Sequence, residues 1–294
     1  KRSKIITALR EFYDKNGYLE VETPILQTLA GGTTAKPFET HLNALDLDLY
    51  LRIAPELYLK RLLVGGFEKV YEIGRCFRNE GMDATHNPDF TMLESYVTYQ
   101  DYNDLMKMVE GLMEFLVEKI YPGQNLEMDY KGNKVSFKAP YKRVRFTDLL
   151  NEYLGIDYDK MSESELLEFA KSRGLKLDPK MHKGKIADEL YKEFIRNNII
   201  QPTFMINLPI ELSPLAKKIS NDQTKVERFQ FLAGGMESMN GYSELNDPID
   251  QFNRFEEQEK IRGNGDEEAQ RMDVDFVEAL EYGMPPAAGL GIGV

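Results

Sequence analysis

Two alternating segments separated by a polar loop constrain the fold of this chain most. Val70-Tyr71-Glu72-Ile73 alternates apolar and polar residues, and Phe90-Thr91-Met92-Leu93-Glu94-Ser95-Tyr96 does the same. Between them lies a charge-dense loop carrying Arg78, Glu80, His86 and Asn87, with Gly81 and Pro88 as turn formers. The pattern predicts a long antiparallel hairpin over residues 67–99. An arginine on such a hairpin, with carboxylates beside it, suits a nucleotide plus an amino acid, because a guanidinium forks onto phosphate or carboxylate. Phe90 offers an apolar face to a purine ring. A solvated hairpin with ordinary surface charges is the alternative on these residues alone.

The rest of the chain has the same hairpin character. Residues 1–16 read as an amphipathic helix stopped by Asn16-Gly17, with Ile5, Ile6, Leu9 and Phe12 on one face. A strand is expected near Tyr18–Glu22, then a glycine loop over 28–34, then paired strands over 37–41 and 47–53. Pro55 suits the first turn of a helix reaching about residue 64, and Asp101 suits the N-cap of one reaching about residue 120. Lys131-Gly132-Asn133 marks a tight turn. Residues 145–198 turn helical and charged, which reads as a small helical insertion. His182 sits there in a basic stretch and is expected at the surface. Strands resume over 203–208, 228–238 and 242–245, helices over 249–262 and 266–282, and a last strand after Pro285-Pro286. No βαβ rhythm is present, so the fold class is α+β with an antiparallel sheet. Gly289-Leu290-Gly291-Ile292-Gly293 is a poor dinucleotide signal, since no helix opens after it.

Bulk properties narrow the function classes. With 294 residues the chain can bury a sizeable core. It has no apolar run long enough for a membrane helix, and its first residues, a basic helix-like segment, lack the apolar core expected of a secretory signal. One cysteine, Cys76, excludes an internal disulfide, fits a reducing, cytoplasmic setting and reads as packing. The net charge of −12 argues against nonspecific nucleic-acid binding by charge alone. HExxH, a CxxC pair and GxSxG are all absent.

FRNEG followed by THNPDFTMLE (residues 77–94) resembles motif 2 of the class II aminoacyl-tRNA synthetases, in the form of the lysine-specific members. RSKIITALREFYDKNGYLEVETP, from Arg2 to Pro24, resembles motif 1 of that family. Residues 31–75, NGYSELNDP from Asn240 to Pro248, and the final AAGLGIGV, similar to the first half of motif 3, extend the likeness along the chain. It is weakest over 129–199. The resemblance implies ATP-dependent activation of L-lysine to lysyl-adenylate, followed by transfer to tRNA(Lys). The lysine carboxylate is itself the nucleophile, so the family's chemistry is positioning and charge neutralisation.

On this likeness Arg78 is the catalytic residue, bridging the lysine carboxylate and the α-phosphate. Glu80, His86 and Asn87 contact the nucleotide, and Phe90 stacks on the adenine. Lysine carries two ammonium groups and needs two acidic partners. Glu56, helped by the backbone near Gly32, takes the α-ammonium. Glu244, with Tyr96 alongside, takes the ε-ammonium. Asn240 and Tyr242 alternate with Glu244 along one strand face. Glu94 is a second pocket-wall candidate, and Gly291 lines the same site. Magnesium bridges the ATP phosphates through Glu237. Gln230 stands where the family has a second carboxylate, and brings an amide oxygen without charge.

Motif 1 implies a homodimer. The likeness also implies a catalytic-domain fragment: an anticodon-binding OB-fold is expected before Lys1, and the motif-3 arginine for the γ-phosphate after Val294. Rival readings are a paralogue that lysylates an elongation factor, expected to carry a larger residue at Gly291, and a non-catalytic binding module. Aspartyl and asparaginyl members need basic groups in the pocket, which Glu244 opposes.

Overall fold

A computed structural model of the chain describes residues 1–82, 86–263 and 268–294. Helix α1 (Arg2–Lys15) buries Ala8, Leu9 and Tyr13 and ends at Asn16. The short strands β1 (Leu19–Glu20) and β2 (Leu26–Gln27) follow, then the hairpin of β3 (Glu39–Leu42) and β4 (Leu47–Leu51). Pro55 opens α2 (Glu56–Val64). The hairpin read from the alternation is present as β5 (Lys69–Phe77) and β6 (Asp89–Thr98), in continuous antiparallel register from Lys69 opposite Val97 to Phe77 opposite Asp89. Cys76 is buried in it, and burial pushes its thiol up to about 12, which suits a packing role.

Helix α3 (Tyr102–Ile120) leads to the hairpin of β7 (Glu127–Tyr130) and β8 (Asn133–Ser136), then β9 (Lys142–Arg145). Helices α4 (Phe146–Leu154), α5 (Glu163–Ser172) and α6 (Lys183–Phe194) come next. Ser162 and Glu165 form a reciprocal capping box at the start of α5. His182 is half-buried as the N-cap of α6, its Nδ1 accepting from the Lys185 amide at 3.2 Å. Strands β10 (Thr203–Ile206), β11 (Lys218–Ile219), β12 (Asp222–Val226), β13 (Arg228–Ala233) and β14 (Met236–Ser243) complete this stretch.

The chain closes with α7 (Pro248–Gly263), α8 (Val274–Gly283) and β15 (Ala287–Gly293). Two expectations are corrected here. The single strand over 228–238 is a hairpin, broken where Gly234 and Gly235 adopt φ of +61° and +77°, the backbone a two-residue turn demands. The last helix begins at Val274, because Asp273 caps it by accepting from the Phe276 amide at 2.8 Å. Asp266, the expected start, lies outside the described residues.

The chain divides into two compact units, residues 1–101 with 243–294, and residues 102–242. In the first unit the strand order is β1-β5-β6-β15, with β1 parallel to β5 and the other pairs antiparallel. Helix α2 packs on β5, β6 and α8. Arg61 Nη2 donates to both carboxylate oxygens of Asp273 at 2.9 Å, tying α2 to the cap of α8. In the second unit the order is β14-β13-β10-β9, with β9 parallel to β10. Its core gathers Phe146, Leu150, Leu166, Ile186, Leu190 and Met205. Each unit is α+β, with antiparallel pairing dominant and a parallel strand at one edge.

Candidate active site

The first unit concentrates three carboxylates around one lysine. Glu56 opens α2, and Lys60 lies one turn later on the same face. Lys60 Nζ sits 2.6 Å from Glu56 Oε1 and 2.5 Å from Glu244 Oε2, and all three side chains are buried. Gly32 approaches Glu56 closely: its φ is +95°, and a Cβ there would stand 3.0 Å from the Cβ of Glu56. The sequence reading placed Gly32 and Glu56 together, and the backbone brings them together.

Strand β6 supplies the next wall. Glu94 and Tyr96 are two residues apart, so they share a face. The Tyr96 hydroxyl donates to Glu94 Oε2 at 2.9 Å, and both residues are buried. Strand β15 runs beside them, with Gly291 opposite Glu94 and Gly289 opposite Tyr96. The Glu244 amide donates to the Ala287 carbonyl at 2.8 Å, which stations its side chain over β15. A Cβ at position 289 would collide with Glu244 Oε1 and the Tyr96 ring, so only glycine allows the carboxylate this seat. Among the described residues Glu244 Oε1 has no hydrogen-bond partner, although the residue is only 1% exposed.

The electrostatics follow from this crowding. Burial, then the neighbouring Glu56, push Glu94 up to about 8, against the Tyr96 hydrogen bond, Arg78 and Lys60. Glu244 is raised well above the usual carboxylate range by burial, with Lys60 opposing and Glu56 and Glu94 adding to the rise. Burial alone would lower Lys60, but Glu244 and Glu56 outweigh it and hold the ammonium above its ordinary value. Among the described residues the buried Lys60 ammonium is shared between Glu56 and Glu244, and Arg78 acts on Glu94.

Arg78 follows β5 and is half-buried. Its amide donates to the Pro88 carbonyl at 2.8 Å, and its guanidinium lies 5.0 Å from the Phe90 ring centroid. That stacking orients the fork and occupies one face of Phe90. Glu80, His86 and Asn87 are exposed on the loop beyond, and residues 83–85 between them lie outside the described residues.

The remaining expected residues lie in the second unit. Asn240 Oδ1 accepts from Arg228 Nε at 2.8 Å, and Arg228 Nη1 also reaches the Leu212 carbonyl and Ser213 Oγ. Tyr242 packs against that unit's core. Gln230 lies opposite Asn240 in the β13–β14 register, and its buried Oε1 has no hydrogen-bond partner among the described residues. Glu237 is exposed near the start of β14. Among the described residues no group of three or more His, Cys, Asp or Glu side chains is placed to hold a metal ion by itself. The sequence reading missed Lys60. Its spacing of four from Glu56 was visible, but an i,i+4 Glu–Lys pair on a helix ordinarily marks a solvated surface.

A family model described as tRNA synthetases class II (D, K and N) matches residues 1–294. The chain is 51% identical over 294 residues to a protein of Christiangramia forsetii named lysine--tRNA ligase, covering all of this chain and 51% of that protein. It is 50% identical over 295 residues to the lysine--tRNA ligase of Thermoanaerobacter sp. strain X514, and 51% identical over 294 residues to that of Listeria welshimeri. Each match covers all of this chain and 59% of the relative. The chain thus spans between half and three-fifths of the length of these relatives.

Proposed function

The chain belongs to the class II tRNA synthetases of the D, K and N group, and we propose that it forms the amino-acid-activating part of a lysine–tRNA ligase. The observation that carries this choice among the three amino acids is the buried Glu244 carboxylate. One of its oxygens is paired with Lys60, and the other is without a hydrogen bond beside Tyr96 and Glu94. A substrate ammonium would supply the missing donor. An aspartate side chain would bring a fourth carboxylate beside Glu56, Glu94 and Glu244, and an asparagine amide would leave ionised groups unpaired.

In this reading Glu56, beside the Gly32 backbone, receives the α-ammonium, and Glu244 receives the ε-ammonium. Arg78, held by its stacking on Phe90, forks between the substrate carboxylate and the α-phosphate of ATP. A carboxylate oxygen attacks the α-phosphorus and forms the acyl–phosphate bond. The bond from that phosphorus to the bridging oxygen breaks, and pyrophosphate leaves with its electron pair. A ribose hydroxyl of tRNA(Lys) then displaces AMP from the carbonyl. In this reading Glu80, His86 and Asn87, which are exposed, contact the nucleotide. Magnesium would be held by the Glu237 carboxylate and the Gln230 amide oxygen, and would supply positive charge against the ATP phosphates, as hard oxygen donors suit it.

For the whole protein we propose tRNA(Lys) as acceptor, a homodimer as the working state and the cytoplasm as its location. No helix among the described residues is long and apolar enough to cross a membrane. Residues 1–294 are read as one catalytic domain, with 145–198 as a helical insertion in it. Calorimetric titration of lysine into wild-type and Glu244→Gln protein tests the assignment. Removing one partner of a buried pair costs about 3–5 kcal/mol, so lysine affinity should fall about a hundredfold or more while ATP affinity stays. Equal lysine affinity in the two proteins would remove Glu244 from the site.

A further inference from the structure

Arg52 and Glu72 form a buried ion pair that touches neither substrate in the reading above. Apolar residues of similar volume often stabilise a fold as well as such a pair does, because both buried charges lose their water. What the pair adds is geometry. Arg52 Nη1 donates to Glu72 Oε1, to the Thr23 carbonyl at 3.3 Å and to Thr23 Oγ1 at 3.2 Å. Its Nε donates to the Arg75 carbonyl at 2.8 Å. Thr23 closes the ring, its hydroxyl donating to Glu72 Oε2 at 2.6 Å and its amide to the same oxygen at 3.2 Å. A Cβ on Gly74 would collide with Arg52 Nη2, so the glycine leaves room for the guanidinium.

The backbone of Arg52 continues the link. Its amide donates to the Ile25 carbonyl at 2.8 Å, and its carbonyl accepts from the Phe77 amide at 2.9 Å. One residue on, the Ile53 carbonyl accepts from Arg78 Nε at 3.5 Å. Ile53, Ala54 and Pro55 are buried and lead directly to Glu56. Arg52 therefore grips the end of β5, which delivers Arg78, and stands on the packed segment that delivers Glu56. We propose that Arg52 is a positioning residue for amino-acid activation, holding Arg78 and Glu56 at the separation that the carboxylate and the α-ammonium of one amino acid require, a role that rests on the lysine reading of the site.

Those two substrate groups hang from a single carbon, so their spacing is fixed before they bind. A guanidinium forked onto a carboxylate tolerates little displacement. Glu56 opens α2 and Arg78 follows β5, so the helix, turn and strand between them set their distance only loosely. Arg52 sets it directly, through the Arg75 carbonyl and the Phe77 amide. A lysine at this position would keep the charge beside Glu72, but its ammonium lacks the planar fork that meets Glu72, Thr23 and the Arg75 carbonyl together.

The test is calorimetric titration of the full-length protein, wild type and Arg52→Lys, with L-lysine and with cadaverine, which is lysine without its carboxylate. Cadaverine can engage both acidic partners but has nothing for Arg78. Arg52→Lys should weaken lysine roughly tenfold or more, the scale of a lost charge-assisted hydrogen bond, and leave cadaverine within about twofold. A purely structural Arg52 would lower the unfolding midpoint and leave the ratio of the two affinities alone. An unchanged ratio in a folded variant therefore overturns the proposal and leaves the lysine reading standing. If wild type does not bind lysine, both fall. Should Arg52→Lys fail to fold, Thr23→Val decides, since it keeps both charges and removes one hydroxyl from the ring. It should lower the ratio of lysine to cadaverine affinity roughly threefold or more, and an unchanged ratio overturns the proposal.

Discussion

Burial and the Glu56 carboxylate push Glu94 up to about 8, whereas in an unfolded chain it would ionise near its ordinary value of 4.5. Between those limits the folded protein keeps a proton that the unfolded chain has lost. The contribution of Glu94 to stability is therefore fully present below the lower limit and is lost as pH rises through the upper one. Thermal unfolding without ligand should show this fall, and Glu94→Gln should flatten it; the same slope in both proteins would contradict the assignment. The resemblance singled out Glu56 and Glu244 as one carboxylate for each ammonium of lysine, and the fold brings the two together at Lys60. Lys60 was not legible. Its partner Glu244 is distant in sequence, and only the packing of α2 against the rest of its unit reveals that the ammonium is buried rather than solvated. Asn240 and Tyr242 show the reverse: strand alternation set their facing, but it gave no sign that Arg228 would hold one and a hydrophobic core the other.

Among the elements, the β5–β6 hairpin was plain in the sequence because period-two alternation survives wherever one face is buried. Strand β15 was expected as a strand from its apolar, glycine-rich run, but its register against β6 depends on contacts no local pattern encodes. That register places Gly289 opposite Tyr96 and under Glu244. Gly289→Ala should therefore cost about 1–3 kcal/mol of stability through overpacking. It should also weaken lysine binding more than ATP binding, since the displaced groups are Glu244 and Tyr96. Denaturant unfolding and calorimetry read both effects, and an alanine variant with wild-type lysine affinity would show that the carboxylate does not need this seat. The start of α8 was misjudged for a related reason. Good helix formers precede it, but Asp273 both caps the helix and binds Arg61, and tertiary pairing overrides local propensity. The Gly234-Gly235 turn was readable from the dipeptide itself and was overlooked inside an apolar run.

At the scale of the whole molecule, the net charge of −12 argues against nonspecific nucleic-acid binding by charge alone, and the chain covers 51% and 59% of two of its relatives. Leu19, Ile25 and Leu26 are exposed apolar residues in the segment after α1, which supports the proposed homodimer. Light scattering should give twice the protomer mass, and a monomer at all concentrations would refute it. The central claim is that three buried carboxylates and one internal ammonium make this a lysine-activating site within its family. ATP–pyrophosphate exchange by the full-length protein, run in parallel with lysine, aspartate and asparagine, tests it most directly. The account predicts exchange with lysine alone; exchange driven by aspartate or asparagine, or none with lysine, would contradict it.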